Sequence, residues 1–69
     1  MDEIEMLWRK YNEYKKTAEQ YMFPTLLFFD KNLIPCYEDL KKKYTDEHAK
    51  TFKRMLILCM EKLGIYEEG

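Results

Sequence analysis

Glycine and proline are nearly missing from this chain: two of each in 69 residues, at Gly64 and Gly69 and at Pro24 and Pro35. A phosphate cradle needs glycines in a loop that opens a helix, and neither glycine stands in one. Histidine and cysteine are as sparse. His48, Cys36 and Cys59 form no CxxC, HxxxH or HExxH pairing, so the three or four converging ligands of a metal site are not to be found, and neither metal nor cofactor is expected. No apolar run approaches the ~18 residues of a membrane span. The acidic opening MDEIE is the wrong start for a secretory signal, which makes a reducing cytoplasm the expected location and Cys59 an ordinary reduced thiol.

Charge of one sign is also lacking. The formal net charge is −1. Between Arg9 and Arg54 eleven lysines and arginines stand against seven acids, while Asp2, Glu3, Glu5, Glu67 and Glu68 gather at the ends. That segregation is too mild to demand a nucleic acid or an acidic lipid surface.

What the chain has is apolar and aromatic material: 46% hydrophobic and 16% aromatic residues, including six tyrosines and one tryptophan. It reads as one folded domain over residues 1–69, of a size at which a single core is marginal and association helps. Thr45 to Ile65 holds the densest run under the clearest helix signals. Thr45 can cap the first turn, Asp46 and Glu47 suit the positive end of the dipole, and Gly64 can close the helix with Ile65 folded back. His48, Ala49, Phe52, Met55, Leu56, Cys59, Met60 and Leu63 share one face at helical spacing. Ile57 and Leu58 fall off that face, which implies a second covering surface from this chain or another subunit.

Asp2 to Met22 reads as a second long helix, with Ile4, Leu7, Tyr11, Tyr14, Ala18 and Tyr21 at intervals of three and four and with Trp8 and Met22 widening the stripe. Pro24 pushes Phe23 out of the helical region. The segment PTLLFFDKNLIP predicts a short helix burying Leu26, Leu27, Phe29 and Leu33, with a hairpin at about 25–35, hence an α+β fold, as the alternative. FPTLLFF with its polar turn resembles the proline-bearing strand of thioredoxin-like proteins over about a dozen residues, but without CxxC or the strand-helix-strand unit before it. Pro35 then opens a second short helix through Tyr44. The expected fold is all-α, a small bundle of two long and two short helices.

Catalysis has little to work with. Cys36, in a first helical turn, has only His48 as a base, and no oxyanion site is legible. Lys41, Lys42, Lys43, Lys50, Lys53 and Arg54 could form the face of a helix-turn-helix, giving a nucleic-acid or nucleotide-binding module as the alternative function, although Asp46 and Glu47 would enter the groove first. Tyr and Trp dominate binding hot spots. Trp8, Tyr14, Tyr21, Ile57 and Leu58 are therefore the candidate protein contacts of a small non-catalytic module, acting as a homo-oligomer or as a regulator or inhibitor of a larger partner.

Overall fold

Eighteen residues, Asp46–Leu63, form the C-terminal helix of the chain, and both of its ends are fixed by local chemistry. In this computed structural model, which describes residues 2–66, the Thr45 hydroxyl accepts from the His48 amide at 3.1 Å. Gly64 adopts φ 77°. Its amide donates to the Glu61 carbonyl at 3.0 Å, and the Ile65 amide donates to the Met60 carbonyl at 3.0 Å, the paired bonds of a Schellman closure. Met1, the terminal acids Glu67 and Glu68, and Gly69 lie outside the described residues.

Three α-helices, with no strand among the described residues, make up the fold: α1 (Asp2–Thr17), α2 (Phe23–Lys42) and α3 (Asp46–Leu63), with a 3-10 turn at Gln20–Met22. The all-α expectation holds and the hairpin at 25–35 does not. Instead of two long and two short helices, the two expected short ones are a single 20-residue helix with Pro35 inside it. Proline in a helix costs about 3 kcal/mol and frees the carbonyl four residues back. Here that carbonyl belongs to Lys31, and Lys31 and Pro35 are both exposed, so water reaches it. Against this cost, one continuous rod lays Leu26, Phe29, Leu33 and Leu40 in the core. Each buried leucine contributes about 2 kcal/mol, enough to carry the helix through the proline.

The first helix stops at Thr17, short of the expected Met22. Extended backbone at Glu19 (φ −75°, ψ 154°) turns the chain there, and Pro24, with no amide to donate to Gln20, would add the cost of another interior proline to a helix that ran on. Phe23 is helical (φ −55°, ψ −42°) and opens α2, contrary to the expected exclusion before proline. Pro24 stands at the start of a helix, where its missing amide is one the helix leaves unpaired anyway.

Helix α3 packs against both α1 and α2. Its stripe of Ala49, Phe52, Leu56, Met60 and Leu63 is buried, whereas Met55 and Cys59 are half-buried on the flank and His48 is exposed. Trp8 of α1 stacks on Tyr37 of α2 with ring centroids 4.7 Å apart and meets Phe52 of α3 edge-on at 5.6 Å, so one aromatic junction takes a ring from each helix.

A Cβ at Gly64 would meet nothing within 4 Å, so the glycine is there for its backbone alone. Gly64→Ala is predicted to cost about 1 kcal/mol, a drop of about 4–8 °C in melting temperature for a chain of this size. An unchanged thermal melt by circular dichroism would contradict a left-handed closure at this position.

Candidate apolar contact surface

Helix α2 is apolar on more than the side it buries. Leu26, Phe29, Leu33 and Leu40 face the core, yet Phe23, Leu27, Phe28 and Ile34 stand on the same helix in water. Leu27 is 68% exposed and Phe28 64%. The expected burial of Leu27 is thus reversed. At about 100° per residue it lies well round the helix from Leu26, on the line that Ile34 continues two turns later. That seven-residue spacing was the available signal, and it was masked by the run of large apolar residues around it.

The exposed surface continues onto α3. Leu58 is 52% exposed, and with Phe28, Phe29, Asn32, Met55, Cys59 and Lys62 it lines an open groove of about 230 Å³ between the two helices. A second shallow groove, about 350 Å³, runs along its other side past Ile57, Lys50, Lys53, Arg54 and Glu61. Leu58 is the residue common to both.

The other candidate contacts are dispersed. Ile57 is half-buried, one turn beyond Lys53, whose ammonium pairs with Glu3 of α1 at 2.8 Å. Trp8 is half-buried within the aromatic junction, stacked on Tyr11 as well as Tyr37. Tyr14 is half-buried, and its hydroxyl lies 3.1 Å from the Met22 sulfur across the break after α1. Tyr21 is 76% exposed, on the 3-10 turn. Only Ile57 and Leu58 share a groove.

Polar ties hold α1 across this arrangement. The Tyr11 hydroxyl donates to Asp30 at 2.7 Å, Lys15 pairs with the same carboxylate at 3.1 Å, and the Tyr37 hydroxyl donates to Glu5 at 3.0 Å. Burial first, then the bond to Asp30, pushes the Tyr11 phenol far above its usual range. Burial and the bond to Glu5 raise Tyr37 likewise. These tyrosines serve the interior.

Both cysteines are free and half-buried. Burial raises the Cys36 thiol, with Asp39 adding to it, and raises Cys59 against a smaller opposing effect of Lys62. A helix N-terminus that would activate Cys36 is absent, because Pro35 does not open a helix. No group of three or more metal-ligating side chains occurs among the described residues. No helix of the described residues is long and apolar enough to cross a membrane.

The lysines of the alternative reading have local reasons for their places. Lys41 and Lys42 stand in the last turn of α2 and Lys43 just after it, where the dipole favours cations, and Lys41 sits over the Tyr37 ring at 5.5 Å. Lys50 and Arg54 are exposed on α3 and Lys53 is held by Glu3. The first turn of α3 carries Asp46 and Glu47.

Raised phenol and thiol pKa values mean that the folded chain holds these protons more tightly than the unfolded one. Their contribution is complete below the unfolded values, about 8.5 for a thiol and about 10 for a tyrosine, and is lost as pH rises through and beyond them. Stability is predicted to fall from about pH 9 upward. Tyr11→Phe should cost about 1 kcal/mol at neutral pH and flatten that alkaline decline. An equally steep decline in the variant, followed by denaturant melts across pH, would contradict the assignment. At neutral pH both thiols should react with iodoacetamide more slowly in the folded protein than in denaturant, and a fast-reacting Cys36 would restore the case for a reactive thiol.

Comparison of the chain with protein-family models, with curated proteins and with solved structures finds no match.

Proposed function

We propose that this protein is a small non-catalytic protein-binding module whose contact surface is the outer side of α2 together with Leu58 of α3. The observation that carries the reading is the concentration of Phe23, Leu27, Phe28 and Ile34, all large, apolar and exposed, on one helix. Scattered exposed leucines are normal on a protein surface, but apolar residues gathered on one side mark an interface. A side chain half left in water forgoes about 1 kcal/mol of burial free energy, so these residues withhold several kcal/mol from folding and make it available to a partner. The mechanism is burial of these anchors inside a charged rim, without a covalent step.

Of the residues expected from sequence, Leu58 and Ile57 belong to this surface and Tyr21 stands beside the start of α2. Trp8 and Tyr14 support it from behind by holding α1 in place. The partner is a second copy of the chain or a larger protein that the module regulates or inhibits. The burial that raises both thiols disfavours a nucleophilic cysteine and so favours binding over catalysis.

The paired change Leu27→Glu with Leu58→Glu tests this. Both residues are exposed, so the thermal melt should shift by no more than about 0.5 kcal/mol equivalent. Light scattering across a dilution series should show any self-association abolished, and a partner co-purified with the wild type should be lost. Equal mass and equal co-purification for the wild type and a well-folded variant would overturn the reading.

A further inference from the structure

We infer that the groove between α2 and α3 receives an acidic amphipathic helix of another protein; this rests on the protein-binding reading above and names the chemistry of its partner. Helices α2 and α3 are joined by the three residues Lys43 to Thr45, so they run as antiparallel neighbours, and the channel between them is floored by Phe28, Phe29, Met55, Leu58 and Cys59. A groove with such a floor suits the apolar stripe of a helix, whose anchors recur every three or four residues.

The charge of its borders selects the partner. Arg54, Leu58 and Lys62 follow one another at successive turns of α3, placing a cation one turn to either side of the exposed leucine. Neither cation has an ionic partner among the described residues. Lys50 and Lys53 line the neighbouring groove past Ile57 rather than this one, Lys53 being paired with Glu3, and Glu61 is the one acid lining either groove. Cations left unpaired round an apolar floor attract carboxylates and repel a basic segment, which fixes orientation and accelerates encounter. A second copy of this chain offers no acidic helix: the exposed side of α1 mixes Glu3 and Glu13 with Arg9, Lys10 and Lys16 around a lone Met6, and α2, although apolar outside, sets Lys31, Lys41 and Lys42 against Glu38 and Asp39. Phosphate backbones suit the site less well than carboxylates, since Leu58 and Met55 occupy the centre of the cationic border and offer no hydrogen bond.

The probe is a fluorescent peptide of about 18 residues, long enough to be helical in water, with leucines along one stripe and glutamates elsewhere. Its counterpart carries lysine in place of every glutamate. Fluorescence anisotropy should show the acidic peptide binding about tenfold tighter than the basic one, with the preference weakening as salt rises. Arg54→Glu combined with Lys62→Glu should reverse the preference, Leu58→Glu should abolish binding of the acidic peptide, and Met6→Glu on the far side of α1 should change nothing. Circular dichroism confirms that each variant is folded. Equal binding of both peptides, lost in Leu58→Glu, overturns the acidic class while keeping the apolar contact surface. Displacement of the acidic peptide by a single-stranded oligonucleotide of equal charge makes nucleic acid the occupant, and a dimer dissolved by Leu58→Glu makes it a second copy. No binding of either peptide to a strict monomer overturns both the inference and the reading beneath it.

Discussion

Three helices give the central one two neighbours and leave each outer helix one side short of cover. That constraint governs the molecule. Helix α3 takes α1 on one flank and α2 on the other, so its own stripe from Ala49 to Leu63 is enclosed. Helix α2 is as apolar as the helix it covers but is itself covered only towards α3 and α1. Its remaining residues, Phe23, Leu27, Phe28 and Ile34, are left exposed among the described residues. The exposed surface is therefore a consequence of helix number combined with the composition of α2, and it would persist through rotamer changes of any single side chain.

The aromatic residues divide along the same line. Trp8, Tyr37 and Phe52 meet at the point where all three helices converge, and the phenols of Tyr11 and Tyr37 find carboxylates of a neighbouring helix. Buried polar groups need partners, and here the polar tips of the tyrosines become the ties that orient α1. With α1 fixed by Asp30, Tyr37 and Lys53, the side of α2 that it covers is fixed too. What remains outside is both aliphatic and aromatic: Leu27, Ile34 and Leu58 with the rings of Tyr21, Phe23, Phe28 and Tyr44.

Helix α3 was legible in the sequence to the residue, because its signals are local: a threonine cap, acids in the first turn, and a glycine for the left-handed closure. Helix α2 was not. Pro35 favours a first turn locally, and the rule is overridden by packing that leucines on both sides of it gain only when the rod is continuous. Of the candidate contacts, Leu58 was visible as an off-stripe residue of a well-defined helix. The exposure of Leu27 and Phe28 was hidden because large apolar residues run round most of α2, so spacing alone does not say which face is buried. The Trp8 junction was out of reach for a different reason: it joins residues far apart in the chain, and no spacing within one helix encodes it.

Large apolar side chains of α2 and α3 stand in water on the folded chain. Methyl relaxation by a soluble paramagnetic agent measures this directly, on dilute protein with the leucines assigned. Leu27 and Leu58 should broaden strongly, while Leu26, Leu33 and Leu56 stay protected. Leu27 and Leu58 as sheltered as Leu33 would contradict it.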